Sequence, residues 1–185
     1  MSSISLALAT NEYPLTVVNG TELQLTLNGA TGPTGATSPT QIVVTELTAD
    51  FSTGATIPYD ATIPQSSEGT EYITAAITPK NASSTLEIEA YLNVGGSAGG
   101  MIIAALFQDS GTNAISTSAI SSGGADLFFP FIIRHRVSAA STSARTYKLR
   151  VGSNGITAYI NRSSGTADLF GSTVVSNLII REILP

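Results

Sequence analysis

From residue 41 onward, apolar residues recur at every second position, which is the period of a β-strand with one buried and one wet face. Leu86, Ile88 and Ala90, for example, alternate with Glu87 and Glu89. Turns rich in Gly, Ser and Pro separate these runs, and no run has the period of an amphipathic helix. Strands are predicted at residues 41–47, 72–77, 86–94, 99–108, 127–133, 147–151, 156–161, 169–170 and 174–184. This series indicates an antiparallel sandwich of jelly-roll type.

Two of these strands, residues 99–108 and 127–133, are apolar on both faces. In an antiparallel sandwich one face of a strand meets the core, so the other face also needs a cover. We expect a second subunit to supply that cover. Pro130 lacks an N–H group and is expected at a sheet edge or a bulge. The expected subunit-interface residues are Met101, Ile103, Phe128, Phe129, Phe131 and His135.

The first 28 residues form a β unit of their own. Leu6 and Leu8 belong to one alternating run, and a second and a third run flank Asn19-Gly20. Asn-Gly between two such runs predicts a two-residue hairpin, because both turn residues accept positive φ. A strand plus a hairpin is marginal in isolation, so we expect threefold association or docking to stabilise this unit.

Glycine then occupies every third position through three triplets in residues 29–37. Three polyproline-II strands can wind about one axis only if every third residue lacks a Cβ atom. Gly29, Gly32, Pro33 and Gly35 therefore predict a short collagen-like neck in a homotrimer. The alternative is a flexible linker, since Gly, Ala, Thr and Pro also compose ordinary linkers.

These patterns divide the chain into three parts: residues 1–28, the neck at residues 29–40, and an all-β sandwich at residues 41–185. Charged residues make up only 11 % of the 185 residues, which suggests a surface partly buried against other subunits. The net charge of −5, with no run of basic residues, argues against nucleic-acid binding. Without cysteine there is no disulfide framework. We find neither a signal peptide nor a run long enough to insert into a membrane.

His135 is the only histidine, so one chain lacks the usual catalytic triad and a two-histidine metal site. If its strand face lined a threefold axis, three His135 rings would converge as an ion site or pH switch. The simpler interpretation, which we favour, is a solvated or hydrogen-bonded histidine.

The carboxylates Glu87 and Glu89 lie about 7 Å apart on one strand, as on any solvated face. No loop around Asp60, Asp109 or Asp126 shows the ligand spacing of a calcium site. We therefore predict no catalytic residue, no cofactor and no metal.

A collagen-like neck followed by a jelly roll resembles the trimeric heads of the tumour-necrosis-factor and complement type. Residues 41–185 also resemble a domain common in tailed-phage virion proteins. The runs that carry this likeness are Ile57-Pro58-Tyr59-Asp60-Ala61-Thr62-Ile63-Pro64-Gln65, Glu68-Gly69-Thr70-Glu71, Ile77-Thr78-Pro79-Lys80, Leu106-Phe107-Gln108-Asp109 and Ile179-Ile180-Arg181-Glu182-Ile183.

The resemblance implies a non-enzymatic homotrimer on the surface of a phage particle: a capsid decoration protein or short head fibre assembled in the bacterial cytoplasm. Its N-terminal unit would attach to the major capsid protein or another virion protein through Leu6, Leu8, Leu23, Leu25 and Leu27. The alternative is a tail-fibre or receptor-binding protein that recognises a bacterial surface glycan. That alternative calls for aromatic residues in loops such as residues 110–114, 138–144 and 153–155, and these loops contain none.

Overall fold

A computed structural model describes residues 7–8, 11–12, 16–18, 22–24 and 39–185, with side chains from residue 41 onward. The chain divides into two compact units, Met1–Ala36 and Thr37–Pro185. The neck residues Gly29, Gly32, Pro33 and Gly35 lie outside the described residues, so the collagen-like neck stays a prediction.

The first unit contains two small antiparallel pairs. Strand β1 (Ala7–Leu8) pairs with β2 (Asn11–Glu12), and β3 (Thr16–Val18) pairs with β4 (Glu22–Gln24). A hairpin around Asn19-Gly20 is confirmed, but Val18 pairs with Glu22, which leaves three residues in the connection and not the two expected. Of the predicted attachment residues, Leu8 lies in β1 and Leu23 in β4, whereas Leu6, Leu25 and Leu27 lie outside the described residues.

The second unit is an antiparallel sandwich with the strand order of a jelly roll. Its strands are β5 (Pro39–Leu47), β6 (Phe51–Thr53), β7 (Thr70–Ile77), β8 (Thr85–Gly96), β9 (Met101–Gln108), β10 (Ser116–Ser121), β11 (Phe128–Ser138), β12 (Arg145–Asn154), β13 (Ala158–Ile160) and β14 (Ser176–Ile183). One sheet has the order β10-β9-β12-β7. The other sheet has the order β5-β14-β8-β11. The short strands β13 and β6 extend this sheet from the last residues of β8. The predicted fold class is therefore confirmed.

The core forms because inward positions of both sheets carry aliphatic side chains. Leu106 on β9, Leu149 on β12, Ile88 on β8 and Ile180 on β14 are all buried in one cluster between the sheets. Tyr147 is buried in the same cluster, and this burial raises the pKa of its hydroxyl to about 12.

Strand β9 is apolar on both faces because the chain covers its outward face itself. Residues 54–69, which we call the strap, cross this sheet and place Ile57 in a second cluster with Ile103, Ala105 and Phe107. Ile57 is fully buried and Ile103 is 2 % exposed. Ile103 is therefore covered by its own chain and not, as predicted, by a second subunit.

Backbone and side-chain hydrogen bonds fix the strap at both ends. Ser153 donates its N–H to the carbonyl of Ala55 at 3.0 Å, and Ser66 donates to the carbonyl of Thr112 at 2.7 Å. The guanidinium of Arg150 donates to the carbonyls of Glu68 and Gly69, at 2.7 and 2.8 Å. The strap is thus part of the domain rather than a loose loop.

Register defines the two ends of the sandwich. The strand register pairs Pro39 with Ile183, Ile183 with Thr85, and Thr85 with Ser138. These four residues therefore lie at one end of the sandwich, which we call the near end. Leu47 pairs with Ser176 at the opposite, far end. The chain enters the sandwich at the near end, whereas residues 161–175, which connect β13 to β14, lie at the far end.

Three local expectations have different outcomes. Pro130 lies on β11, which pairs only with β8 and is therefore an edge strand, as predicted. The strand predicted at residues 169–170 is wrong, because Leu169–Gly171 is a turn of 3₁₀-helix. Strand β10 was not predicted, because its residues are mostly small and polar and carry no clear alternation.

Candidate functional site

The outward face of the β5-β14-β8-β11 sheet is left open by the part of the chain that the structure describes. Outward residues of the four strands line up in rows across it. One row is Val44, Ile179, Glu89 and Arg134, and the next is Ile42, Arg181, Glu87 and Arg136. We call this surface the outer face.

The apolar part of the outer face lies mainly on its two edge strands. Ile42 and Val44 on β5 are 53 % and 49 % exposed, and Ile132 on β11 is 43 % exposed. A β-branched residue pointing outward from an edge strand favours contact with another chain over contact with water. The outer face therefore has the apolar anchors of a protein interface.

The charged side chains in the two rows of the outer face are paired with one another. Glu89 is only 7 % exposed and lies between Arg134, with which it forms an ion pair, and Arg181, whose Nη1 is 2.8 Å from its carboxylate. Burial alone would raise the pKa of Glu89, but hydrogen bonds from Arg181, Tyr91 and Arg134 outweigh burial and lower that pKa. Glu89 is therefore ionised at neutral pH and fixes both arginines.

A second pair, Glu87 with Arg136, lies beside the first. Together these groups line a depression of about 650 Å³, with three arginines against two glutamates. Pre-formed ion pairs present few unpaired charges to a partner, which lowers the desolvation cost of covering this surface. The arrangement suits protein association and places no free nucleophile or acid–base pair in the depression.

His135 also lines this depression. It follows the buried Phe131 and Ile133 on the strand face turned toward the core. It is half-buried, and this burial lowers its pKa. His135 is thus neutral at physiological pH, and its convergence on a threefold axis stays a prediction.

The remaining predicted interface residues divide by burial. Phe131 is 5 % exposed and packs in the core between the sheets, so its side chain is not available to a partner. Phe128, Phe129 and Met101 are partly exposed. The anchors Ile42, Val44 and Ile132 were missed, although their alternation in the strand patterns could have shown them.

Each carboxylate considered for calcium is occupied by its own chain. Asp60 accepts hydrogen bonds from the N–H and hydroxyl of Thr62, which lower its pKa. Asp109 accepts from the N–H of Thr146 at 2.8 Å and pairs with Arg145 at 3.2 Å. Asp126 accepts from the N–H of Gly165. In residues 41–185 we find no group of three acidic or histidine side chains that would hold a metal ion.

The loops considered for receptor binding lie at different ends. Residues 110–114 and 138–144 follow β9 and β11 at the near end, where the chain enters, and residues 153–155 lie at the far end. The far end also carries Phe170, which is 79 % exposed. The sequence patterns missed this residue because the adjacent Leu169 and Phe170 read as a short strand.

No part of the chain that the structure describes is a helix long and apolar enough to cross a membrane.

Comparison with known proteins gives one family. The profile of the family described as the Pgp3 C-terminal domain matches residues 56–185, which include most of the strap, both sheets except β5 and β6, and most of the outer face. No curated protein matches the chain.

Solved structures similar to the chain include those of two strains of infectious bursal disease virus. The Gt strain structure is 14 % identical with a TM-score of 0.35, over 93 % of this chain and 42 % of that chain. The Gx strain structure is 13 % identical with a TM-score of 0.35, over 93 % of this chain and 41 % of that chain. The chain thus spans less than half the length of these proteins.

Proposed function

The chain belongs to the Pgp3 C-terminal domain family, and from that premise we propose that it is a non-enzymatic structural protein that works as a homotrimer. In this proposal three sandwiches associate through the outer face, and the glycine triplets wind into a neck. The N-terminal unit attaches the trimer to the major capsid protein or another virion protein of a phage particle. The protein is then a capsid decoration protein or a short head fibre.

The observation that carries the proposal is the open outer face. Its apolar anchors Ile42, Val44 and Ile132 are exposed, whereas the second apolar face of β9 is covered by the strap. The low charge content and the glycine triplets support the same conclusion, because both favour close association of several chains.

Sedimentation of the intact protein with two matched variants tests the interface. Ile42→Asp places a charge on the outer face, whereas Ile63→Asp places the same charge on the strap, where Ile63 is 56 % exposed against 53 % for Ile42. We expect the parent and Ile63→Asp to sediment as trimers and Ile42→Asp to dissociate at micromolar concentration. A monomeric parent, or equal behaviour of the two variants, would contradict the proposed interface.

The location on a particle needs a separate experiment. Electron microscopy of particles assembled with and without the protein should show threefold projections on the capsid surface that disappear in its absence. Projections missing from the tail instead would support the tail-fibre alternative. Unchanged particles would count against a virion function altogether.

A further inference from the structure

The turn after β12 exposes an asparagine that is followed directly by a glycine. Asn154 is the last residue of β12, and Gly155 is the next residue of the chain. Both are exposed, whereas Ser153 before them is only 1 % exposed. Asparagine is a chemically labile residue, and a following glycine leaves it least protected, because no Cβ atom keeps the glycine nitrogen away from the preceding side chain. The turn therefore brings a reactive pair to the surface.

The fold leaves both reacting groups of this pair free. Among the described residues, the N–H of Gly155 has no hydrogen-bond acceptor, and the side-chain amide of Asn154 has no hydrogen-bond partner. The space around Gly155 is open, since a Cβ added to it would meet no atom within 4 Å beyond its chain neighbours. The nitrogen of Gly155 can therefore approach the Asn154 side chain without breaking a hydrogen bond.

The residues on either side of the pair are fixed. Ser153 donates its N–H to the carbonyl of Ala55 at 3.0 Å, and its hydroxyl donates to the carbonyl of Ile156. Thr157 donates its N–H to the hydroxyl of Ser97 at 3.0 Å. The exposed pair is thus a short segment between two anchored points. Its exposure belongs to the folded chain and requires no unfolding.

The other asparagines in residues 41–185 each lack one of these features. Asn161 is 1 % exposed, and its amide donates to the carbonyl of Leu47 at 2.8 Å. Asn81 and Asn113 are exposed, but an alanine follows each of them. The two that are partly buried on strands and precede bulkier residues are Asn93 and Asn177. Exposure and a following glycine therefore coincide only after β12 in this part of the chain.

We propose that Asn154 is a site of spontaneous deamidation in the folded protein. The nitrogen of Gly155 bonds to Cγ of Asn154, and the Nδ2 amide group leaves as ammonia with the proton of the Gly155 nitrogen. This step closes a five-membered succinimide ring, which one water molecule then opens. Opening at Cγ gives aspartate, and opening at the backbone carbonyl gives isoaspartate. One water is consumed and one ammonia is released, so the reaction needs no oxidant and no cofactor.

The modification changes the far end of the sandwich in two ways. Either product adds a negative charge to a chain whose net charge is −5. Isoaspartate also adds a methylene group to the backbone inside the turn that the Ser153 hydroxyl closes onto Ile156. The site lies on β12, in the sheet that does not carry the outer face. The inference therefore does not depend on the proposed trimer.

Peptide mapping of the full-length folded protein tests the inference. Trypsin cleavage after Arg150 and Arg162 releases residues 151–162, a peptide that contains both Asn154 and Asn161. After incubation at pH 8 we expect mass spectrometry to find Asn154 converted and Asn161 intact, relative to an unincubated sample. Conversion should be slower at pH 6, because the attacking nitrogen must lose its proton. Asn154→Asp supplies the reference peptide for the aspartate product.

Gly155→Ala tests the route of the reaction. The added Cβ crowds the attacking nitrogen, so we expect conversion at Asn154 to become about tenfold slower. Gly54→Ala is the matched control, because the space around Gly54 is equally open, and it should leave the rate unchanged.

Three results would overturn the inference. The first is an Asn154 that keeps its amide in the folded protein at pH 8, whether or not the protein loses that amide in urea. The second is conversion of Asn154 and Asn161 at equal rates, which would mean that the fold does not select the site. The third is a Gly155→Ala variant that converts as fast as the parent, which would exclude attack by the backbone nitrogen.

Discussion

Glu182 offers the most direct test of how the two sheets are joined. Its side chain is fully buried on β14, and its carboxylate accepts the N–H of Lys80 at 2.8 Å and that of Asn81 at 3.1 Å. Both donors belong to the connection between β7 in one sheet and β8 in the other. The carboxylate therefore fixes the turn by which the chain crosses between sheets.

The expected loss follows from these bonds. A hydrogen bond to a charged group contributes about 1.5–3 kcal/mol, and an unmade bond leaves a buried N–H unsatisfied. Glu182→Ala removes both acceptors, so we expect the free energy of unfolding at pH 7 to fall by about 4 kcal/mol. Glu182→Gln keeps one oxygen and the side-chain volume, so we expect a fall of about 2 kcal/mol.

The pH dependence has a definite sign. Burial would raise the pKa of Glu182, but hydrogen bonds from the chain, led by the N–H of Lys80, lower it overall. A carboxyl whose pKa is lowered by folding stabilises the protein fully above its unfolded pKa, about 4.3 for Glu. The advantage of the parent over Glu182→Gln should therefore disappear as the pH falls from about 4.3 through the folded pKa.

Urea unfolding followed by circular dichroism at pH 7 and pH 3, at one fixed protein concentration, measures both effects. Glu71→Gln is the control, because Glu71 makes only long ion pairs of 3.9 Å to Lys148 and 4.0 Å to Arg150. We expect this control to change stability by less than about 0.5 kcal/mol. Equal stability of Glu182→Gln and the parent at pH 7 would refute the reasoning.

Three further predictions concern the strap, the neck and the far end. Gly152→Ala should lower the free energy of unfolding by about 2 kcal/mol in thermal melts, because the added Cβ would lie 2.7 Å from a strap side chain. Gly54→Ala is the control and should leave this free energy unchanged, because the space around Gly54 is open. Gly32→Val should lower the trimer dissociation temperature in sedimentation and melting, whereas Ala30→Val, outside the glycine positions, should not. Phe170→Gly should unfold no more easily than the parent, because it removes about 1 kcal/mol of left-handed strain. A clear loss of stability in Phe170→Gly would mean that the ring packs against something.

The class of fold was predictable because alternation is a local property. Each strand of this sandwich must turn one face to the core, and Leu86 to Val94 shows that alternation directly in the sequence. The failures occur where local pattern is absent or ambiguous. Strand β10 consists mostly of small polar residues. Leu169 and Phe170 are apolar, but they lie in a turn in which Asp168 bonds to Asp50 and Ser172.

The candidate site was less predictable because covering a face is a property of the whole chain. Strands β9 and β11 carry the same signal, apolar residues on both faces, yet they have different outcomes. The strap reaches β9 because a long connection with an apolar anchor, Ile57, lies between β6 and β7. Sequence patterns show that an apolar face needs a cover, and only the topology shows whether the chain provides it.

The comparison of β9 with β11 also leads to a specific prediction for the outer face. In residues 41–185, the chain leaves Ile132 on β11 43 % exposed and Ile42 on β5 53 % exposed, on opposite edges of one sheet. The ion pairs of Glu87 and Glu89 with arginines lie between these two edges. A second and a third copy, each contributing a different edge, would cover both, because in a threefold arrangement every interface joins two different surfaces. We therefore expect Ile42 of one copy to lie near Ile132 of the next. In a protein with cysteine at both positions, disulfide crosslinks should join position 42 of one copy to position 132 of another. Crosslinks that join only equal positions of two copies would contradict this expectation.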